Sequence, residues 1–338
     1  MKRAELVKTL ELVRPALAAT NMIPIFQCFT FNNGKVSAYN DSIAIVGPSE
    51  IEQPCGIHGN TLLGLVSNSS AEEFELSLDR STATIKLGKT VSKLPFDPPE
   101  NFIFNEPEDE WSSSLTFTVG VFEALKLCLE TTSNDATQDA LRGITIQGSR
   151  LYSCDGDTLT RTELNKGLGK KRYLMSTEFC SAIIKLWSTM DMVKGVLSFN
   201  DEWAKFGTDE WAIFGRILEI KEPIDFEALI KKSESSPVKP IAVPEGLSEA
   251  LSRARVLADP ESQKTTITIT KNKMVLVTDT HMGEIRDELP FKGHPDIVVD
   301  VNAQHLQKAI KTCDEVAFHE NSAVLVKAPD VLMVVSNM

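Results

Sequence analysis

The chain carries one pattern three times, and that repetition limits its fold more than any single motif does. Self-similarity at a fixed period marks a structure assembled from like units. G-K-V-S-A-Y-N-D (Gly34 to Asp41), S-R-L-Y-S-C-D-G-D (Ser149 to Asp157) and K-M-V-L-V-T-D-T (Lys273 to Thr280) each run from a polar turn through alternating apolar residues to an aspartate. Alternation at period two is the pattern of a strand with one buried face. On this reading Asp41, Asp155 and Asp279 hold one repeat position.

The flanks repeat as well. R-A-E-L-V-K-T-L-E-L-V, V-G-V-F-E-A-L-K-L-C-L and P-E-G-L-S-E-A-L-S-R-A place apolar residues at helical spacing and begin near residues 3, 119 and 244. Downstream, N-T-L-L-G-L-V, T-E-F-C-S-A-I-I-K-L-W and N-A-Q-H-L-Q-K-A-I-K-T read as second helices, with Asn or Ser/Thr as N-caps. Strand-like segments separated by polar turns follow each. The expected fold class is α+β: three similar domains of about 110–120 residues, each with two helices on antiparallel sheets. The polar stretch Glu106 to Ser114 and the Ser/Pro/Lys stretch Lys231 to Pro240 set the expected domains at 1–112, 113–233 and 238–338.

Asp155-Gly156-Asp157 admits two readings. Two carboxylates around a glycine could begin a metal site, and a metal-dependent enzyme would then use Asp155 and Asp157. The same residues could close a hairpin, which suits an aspartate that recurs at a strand end. The rest of the chain offers little chemistry. Its six cysteines contain no C-x-x-C, its five histidines no H-E-x-x-H, and it has no glycine-rich phosphate loop and no G-x-S-x-G. The expectation is a non-catalytic protein with no cofactor and no metal. The absence of a long apolar run or signal core points away from membranes and toward the cytoplasm.

In order and spacing the whole chain resembles the bacterial DNA polymerase III beta subunit, the replicative sliding clamp. The resemblance rests on N-M-I-P-I-F-Q-C-F-T-F-N-N-G-K-V-S-A-Y-N-D in the first domain, S-C-D-G-D-T-L in the second and P-I-D-F-E-A-L after it. The departures suit a divergent version, such as one borne by a phage or mobile element. The resemblance implies a head-to-tail homodimer that closes into a ring of six domains, with twelve helices lining a hole wider than a duplex. It implies an accessory subunit that encircles double-stranded DNA through backbone contacts alone. Polymerase and clamp loader would be tethered by short peptides inserted into an apolar cleft.

Carried over residue by residue, that cleft comprises Leu141, Gly156, Thr158, Leu159, Ile224, Leu229, Leu332, Val334 and Val335. Asp157-Thr158 stands where the family has His-Arg, and Ala228 where it has a second Arg, so cationic contacts are lost and the peptide preference is expected to differ. Val91, Val256 and Leu257 are implied at the dimer interface, with Lys89 in place of a frequent aromatic residue.

Charge bears on this picture independently. The chain is acidic, net −12, and a phosphate backbone repels such a protein unless its positive charge is segregated. The six expected helices carry a net +2 and the remainder −14. Arg3, Lys8, Arg14, Lys126, Lys185, Arg253, Lys308 and Lys311 are the expected DNA-channel residues. The alternative left open by the sequence is a clamp-like adaptor or decoy that does not encircle DNA.

Overall fold

The computed structural model describes residues 1–338 except 21, 108–109, 134–140, 220–222, 236–237, 261 and 320–322. Its helices are α1 (Arg3–Val13), α2 (Gly59–Ser67), α3 (Val119–Leu129), α4 (Thr177–Met190), α5 (Phe226–Glu234), α6 (Leu247–Leu257) and α7 (Ala303–Thr312). Six match the expected pairs. The caps follow the expected logic with one change. Ser176 accepts from Phe179 N–H at α4, and Asn302 from Gln304 and His305 N–H at α7. At α2 the cap is the His58 ring, not an Asn. No helix among the described residues is long and apolar enough to cross a membrane.

The strands repeat with the helices. The first set is β1 (Cys28–Asn32), β2 (Lys35–Tyr39), β3 (Ile43–Pro48), β4 (Cys55–His58), β5 (Glu75–Asp79), β6 (Thr82–Leu87) and β7 (Thr90–Pro95). The second is β8 (Ser113–Phe117), β9 (Gly143–Gln147), β10 (Arg150–Cys154), β11 (Thr158–Glu163), β12 (Arg172–Ser176), β13 (Gly195–Phe199), β14 (Trp203–Gly207) and β15 (Ala212–Arg216). The third is β16 (Ile241–Ala242), β17 (Lys264–Thr270), β18 (Lys273–Thr280), β19 (Gly283–Pro290), β20 (Ile297–Asn302), β21 (Glu315–Phe318), β22 (Ala323–Ala328) and β23 (Val331–Ser336).

The pairings with a described register are antiparallel, and one order recurs. β4-β1-β2-β3, β12-β9-β10-β11 and β20-β17-β18-β19 are three copies of the same four-stranded pattern. The remaining strands form β5-β6-β7, β8-β13-β14-β15 and β16-β21-β22-β23. In the first set the place of β8 and β16 is taken by the chain start, where Lys2 bridges Glu73 and the Met1 carbonyl accepts Phe74 N–H.

Two ladders join successive sets. β3 pairs with β15 (Ile43↔Gly215 to Val46↔Ala212), and β11 pairs with β23 (Thr158↔Val335 to Thr162↔Val331). Each creates an eight-stranded sheet. Two compact units result, Met1–Glu123 with Met175–Leu218, and Ala124–Leu174 with Glu219–Met338. The stretch 113–233 is thus divided between the units, because each eight-stranded sheet takes four of its strands.

In the first unit α1 buries Leu6, Leu10, Leu12 and Val13 and packs on α2 and on β2 and β3. Phe29, Phe31, Phe117, Phe179, Phe199, Phe206 and Phe214 are fully buried. Each such ring removes enough apolar surface for roughly 2–3 kcal/mol of stabilisation. In the second unit α6 and α7 pack side by side over a core of Leu251, Ile267, Leu276, Val301, Leu306, Val324 and Val335.

Close packing leaves no room for a side chain at several glycines, Gly47 among them. A Cβ on Gly47 of β3 would lie 2.3 Å from the ring of Trp211, which is itself buried. Gly47→Ala is therefore expected to lower stability by about 1–3 kcal/mol through overpacking. Urea unfolding followed by tryptophan fluorescence checks this, and an unchanged midpoint would mean that Trp211 moves without cost.

Candidate partner-binding cleft and cationic helix faces

The β11–β23 ladder sorts the expected cleft residues by the alternation of its strands. Leu159 and Val334 are paired and point to one face, where they pack with Cys154, Ile224, Leu332, Tyr152 and Phe226. Thr158 and Val335, also paired, point to the other face. Val335 joins the core under α6 and α7, and Thr158 Oγ1 hydrogen-bonds His305 Nδ1 of α7 at 2.8 Å. Of the expected cleft residues, Leu159, Ile224, Leu332 and Val334 therefore share one apolar cluster, whereas Thr158 and Val335 lie on the opposite face of the sheet. Leu141 is buried outside this cluster, and Leu229 and Gly156 are exposed.

α5 closes one side, and sequence reasoning missed it, treating the stretch from Lys231 as linker. Its signal was legible: Asp225 caps it by accepting Ala228 N–H at 3.0 Å, Phe226 and Ile230 are one apolar turn apart, and Lys231 and Lys232 sit in the last turn. Phe226 stacks flat on Tyr152, ring centroids 5.2 Å apart. Glu227 anchors the helix to the sheet, accepting from Tyr152 Oη at 2.8 Å and pairing with Arg150 at 3.0 Å. Burial and the bond to Glu227 push the Tyr152 phenol up to about 12, against the opposing effect of Arg150. Arg172 donates to the Ile224 carbonyl at 2.9 Å and lies over Phe226, where burial lowers its pKa.

The Asp155-Gly156-Asp157 turn is structural. Asp155 Oδ1 accepts the N–H groups of Asp157 and Thr158 at 3.0 and 2.6 Å. Gly156 has φ +103 with open space around it, so backbone conformation and not crowding requires a glycine. Asn40 Oδ1 does the same for Ser42 and Ile43, and Asn200 Oδ1 for Glu202 and Trp203. The counterpart of Asp155 in the first repeat is thus Asn40, one residue before the expected Asp41, whose carboxylate instead meets Tyr39 and Arg216. In the third repeat the hairpin runs on through Asp279, which pairs with Glu284.

The nearby polar side chains do not assemble a nucleophile. Asp155 Oδ2 and Thr158 Oγ1 both approach the same nitrogen of His305, at 4.0 and 2.8 Å, so the carboxylate cannot orient the ring from its far side as a relay requires. Burial raises the Cys154 thiol, the Gly156 N–H opposes this, and Asp155 and Asp157 reinforce it. No group of three or more potential metal ligands occurs among the described residues.

The expected DNA-channel residues divide into engaged and free. Arg3 donates to the carbonyls of Ala71 and Val66, both at 2.9 Å, and so caps the end of α2. Arg253 grips Asp287 of β19 with two nitrogens, the shortest contact being 2.7 Å. Lys185 donates to the Glu11 carbonyl, and Arg14 lies 3.7 Å from the Glu11 carboxylate. Lys8, Lys126, Lys308 and Lys311 are exposed and have no ion-pair partner among the described residues.

Of the expected interface residues, Val91 on β7 and Val256 on α6 are exposed and Leu257 is half-buried. Among the described residues β7 pairs only with β6, and β19 only with β18, so each leaves one edge without a strand partner.

No protein-family model matches the chain, and no curated protein matches it by sequence. Solved structures match over its full length. The sliding clamp (DNA polymerase III subunit beta) from Bartonella birtlesii, bound to griselimycin, has a TM-score of 0.90 at 18% identity, covering 100% of this chain and 98% of that one. The DNA polymerase III beta subunit of Thermotoga maritima gives 0.86 at 19% identity, with the same coverage. The DNA polymerase III subunit beta of Pseudomonas aeruginosa gives 0.86 at 15%, covering 100% and 99%. The threefold strand order, the paired helices and the full-length match make one conclusion: this chain has the fold of the DNA polymerase III beta subunit, the sliding clamp.

Proposed function

We propose that this protein is a processivity factor: a non-catalytic ring of two copies that encircles duplex DNA and tethers a polymerase and its partners through the cleft at Leu159, Ile224 and Val334. On this reading the repeating units are 1–112, 113–233 and 238–338, and the protein works in the cytoplasm. The observation that carries the proposal is the pair of strands left without a joint to another repeat. Each internal joint pairs the third strand of one repeat with the last strand of the next, and among the described residues β19 and β7 are the strands at those positions without such a neighbour. An exposed edge strand invites pairing with another chain. A contact between unlike edges that closes after two copies gives a ring.

The internal joints supply the register. The hairpins start at equivalent pairs, Lys35↔Pro48, Arg150↔Glu163 and Lys273↔Pro290. Two residues inward, Val46 faces Ala212 and Arg161 faces Leu332. Leu332 is the second residue after a two-residue turn, as Val91 is. Transferred to the open edges, Glu288 faces Val91, Asp287 faces Ser92 and Ile285 faces Leu94. Ile285 and Leu94 are both half-buried in the single chain and would complete each other's burial.

The charges suit loose retention. Lys8, Lys126, Lys308 and Lys311 are free to meet phosphates, which carry no sequence information, while the acidic remainder disfavours binding DNA outside the ring. A second reading, an adaptor that does not close, has one observation in its favour. The same register sets Lys93 opposite Arg286, a like-charge pair that weakens a joint.

Two measurements test these readings. With Leu94→Cys and Ile285→Cys in one chain, oxidation is expected to link two copies, and Leu257→Asp is expected to leave monomers in sedimentation. A wild-type protein that sediments as a monomer would favour the adaptor. For the cleft, Ile224→Asp is expected to weaken a fluorescein-labelled clamp-binding peptide roughly tenfold or more in fluorescence polarisation. Unchanged binding would place the peptide elsewhere.

A further inference from the structure

The repeats also differ, and one difference opens a site. On the outward face of β1 and β2, a trough of about 280 Å³ is walled by Phe26, Tyr39, Phe102 and Phe104 and floored by Thr30 and Ser37. Its rings brace one another, with Tyr39 lying 5.3 Å from Phe26 and 5.1 Å from Phe104. The floor hydroxyls of Thr30 and Ser37 are 2.6 Å apart.

The second repeat identifies what the trough lacks. Asn32↔Lys35 and Gln147↔Arg150 are the equivalent first pairs of the β1–β2 and β9–β10 hairpins, so Thr30↔Ser37 corresponds to Thr145↔Tyr152. In the second repeat the ring of Tyr152 stands at that position, stacked on Phe226, with its O–H donated to Glu227 at 2.8 Å, and it forms one wall of the pocket that remains beside Gln147, Arg172 and Ile224. Arg150 holds Glu227 at 3.0 Å. In the first repeat the same frame stands without the ring. Lys35, the counterpart of Arg150, holds Glu106 at 3.3 Å at the end of the trough, and Ser37 takes the position of Tyr152. Phe104 packs against Tyr39 and Phe214, and Ile224, Cys154 and Val334 border one cluster in the second repeat.

We propose that this trough is a second docking site, and that its occupant is a tyrosine side chain presented by a partner peptide. The ring lies between the aromatic walls, where it gains the stacked and edge-on contacts that aromatic side chains favour. The phenol O–H is donated to Glu106, as that of Tyr152 is to Glu227. This site is distinct from the cleft at Leu159 and stands whether or not the ring closes.

The test uses the full-length protein and three probes, N-acetyltyrosine amide, N-acetylphenylalanine amide and N-acetylleucine amide, titrated by saturation-transfer NMR. The tyrosine probe is expected to bind roughly tenfold more tightly than the phenylalanine probe, the difference a hydrogen bond to a carboxylate supplies, and the leucine probe most weakly. Ser37→Tyr fills the trough from within and is expected to abolish binding of both aromatic probes, without lowering the unfolding temperature. Glu106→Gln is expected to leave phenylalanine binding unchanged and to narrow the tyrosine preference. Wild-type protein that binds neither aromatic probe overturns the proposal. So does binding that survives Ser37→Tyr. If Ser37→Tyr does not fold, Glu106→Gln decides, and an undiminished tyrosine preference overturns the proposal.

Discussion

The ladder between the third strand of one repeat and the last strand of the next is the constraint from which the rest of this structure follows. A repeat standing alone would expose the edge of β3 or β11, and an open antiparallel edge is a standing invitation to misassociation. Pairing β3 with β15, and β11 with β23, turns those edges into the middles of eight-stranded sheets. The same ladder carries the proposed cleft, because Leu159 and Val334 are cross-strand partners on it. On that proposal, joining the repeats and creating a docking floor are one event in this fold. The proposed ring extends the rule by one step, to β7 and β19, the two strands at the joint positions that have no such partner among the described residues.

Electrostatics plays a secondary part. Half of the cations expected to face DNA are engaged within the protein: Arg3 as a helix cap, Arg253 on Asp287, and Lys185 and Arg14 around Glu11. That leaves few free lysines, which suits the proposed retention by enclosure and not by affinity. Surface ion pairs of this kind contribute little stability, and several depend on salt. They constrain side-chain geometry more than they stabilise the fold.

Much of this was legible in the sequence, for physical reasons. Period-two alternation after a polar turn located β2, β10 and β18, and helical spacing located six helices, since burial on one face writes itself into the residue order. Three features were not legible. Thr158 and Val335 were placed in the cleft although the pleat sends them to the opposite face, a distinction that needs the register of β11 on β23. The turn-forming residue of the first repeat is Asn40, not Asp41, because either amide or carboxylate oxygen can accept the two N–H groups and the residue type alone does not decide. The trough beside Phe104 depends on Ser37 standing where Tyr152 stands in the next repeat, and only the paired registers make those two residues equivalent.

The central claim is mechanical: two copies joined edge to edge would hold a duplex without gripping its bases. Retention on circular DNA tests it most directly. Protein loaded on a nicked circle and freed of unbound protein by gel filtration is expected to stay with the DNA at a salt concentration that abolishes phosphate contacts. It is expected to leave when a restriction enzyme linearises the circle. Equal loss from intact and linearised DNA, or retention on both, would contradict the account.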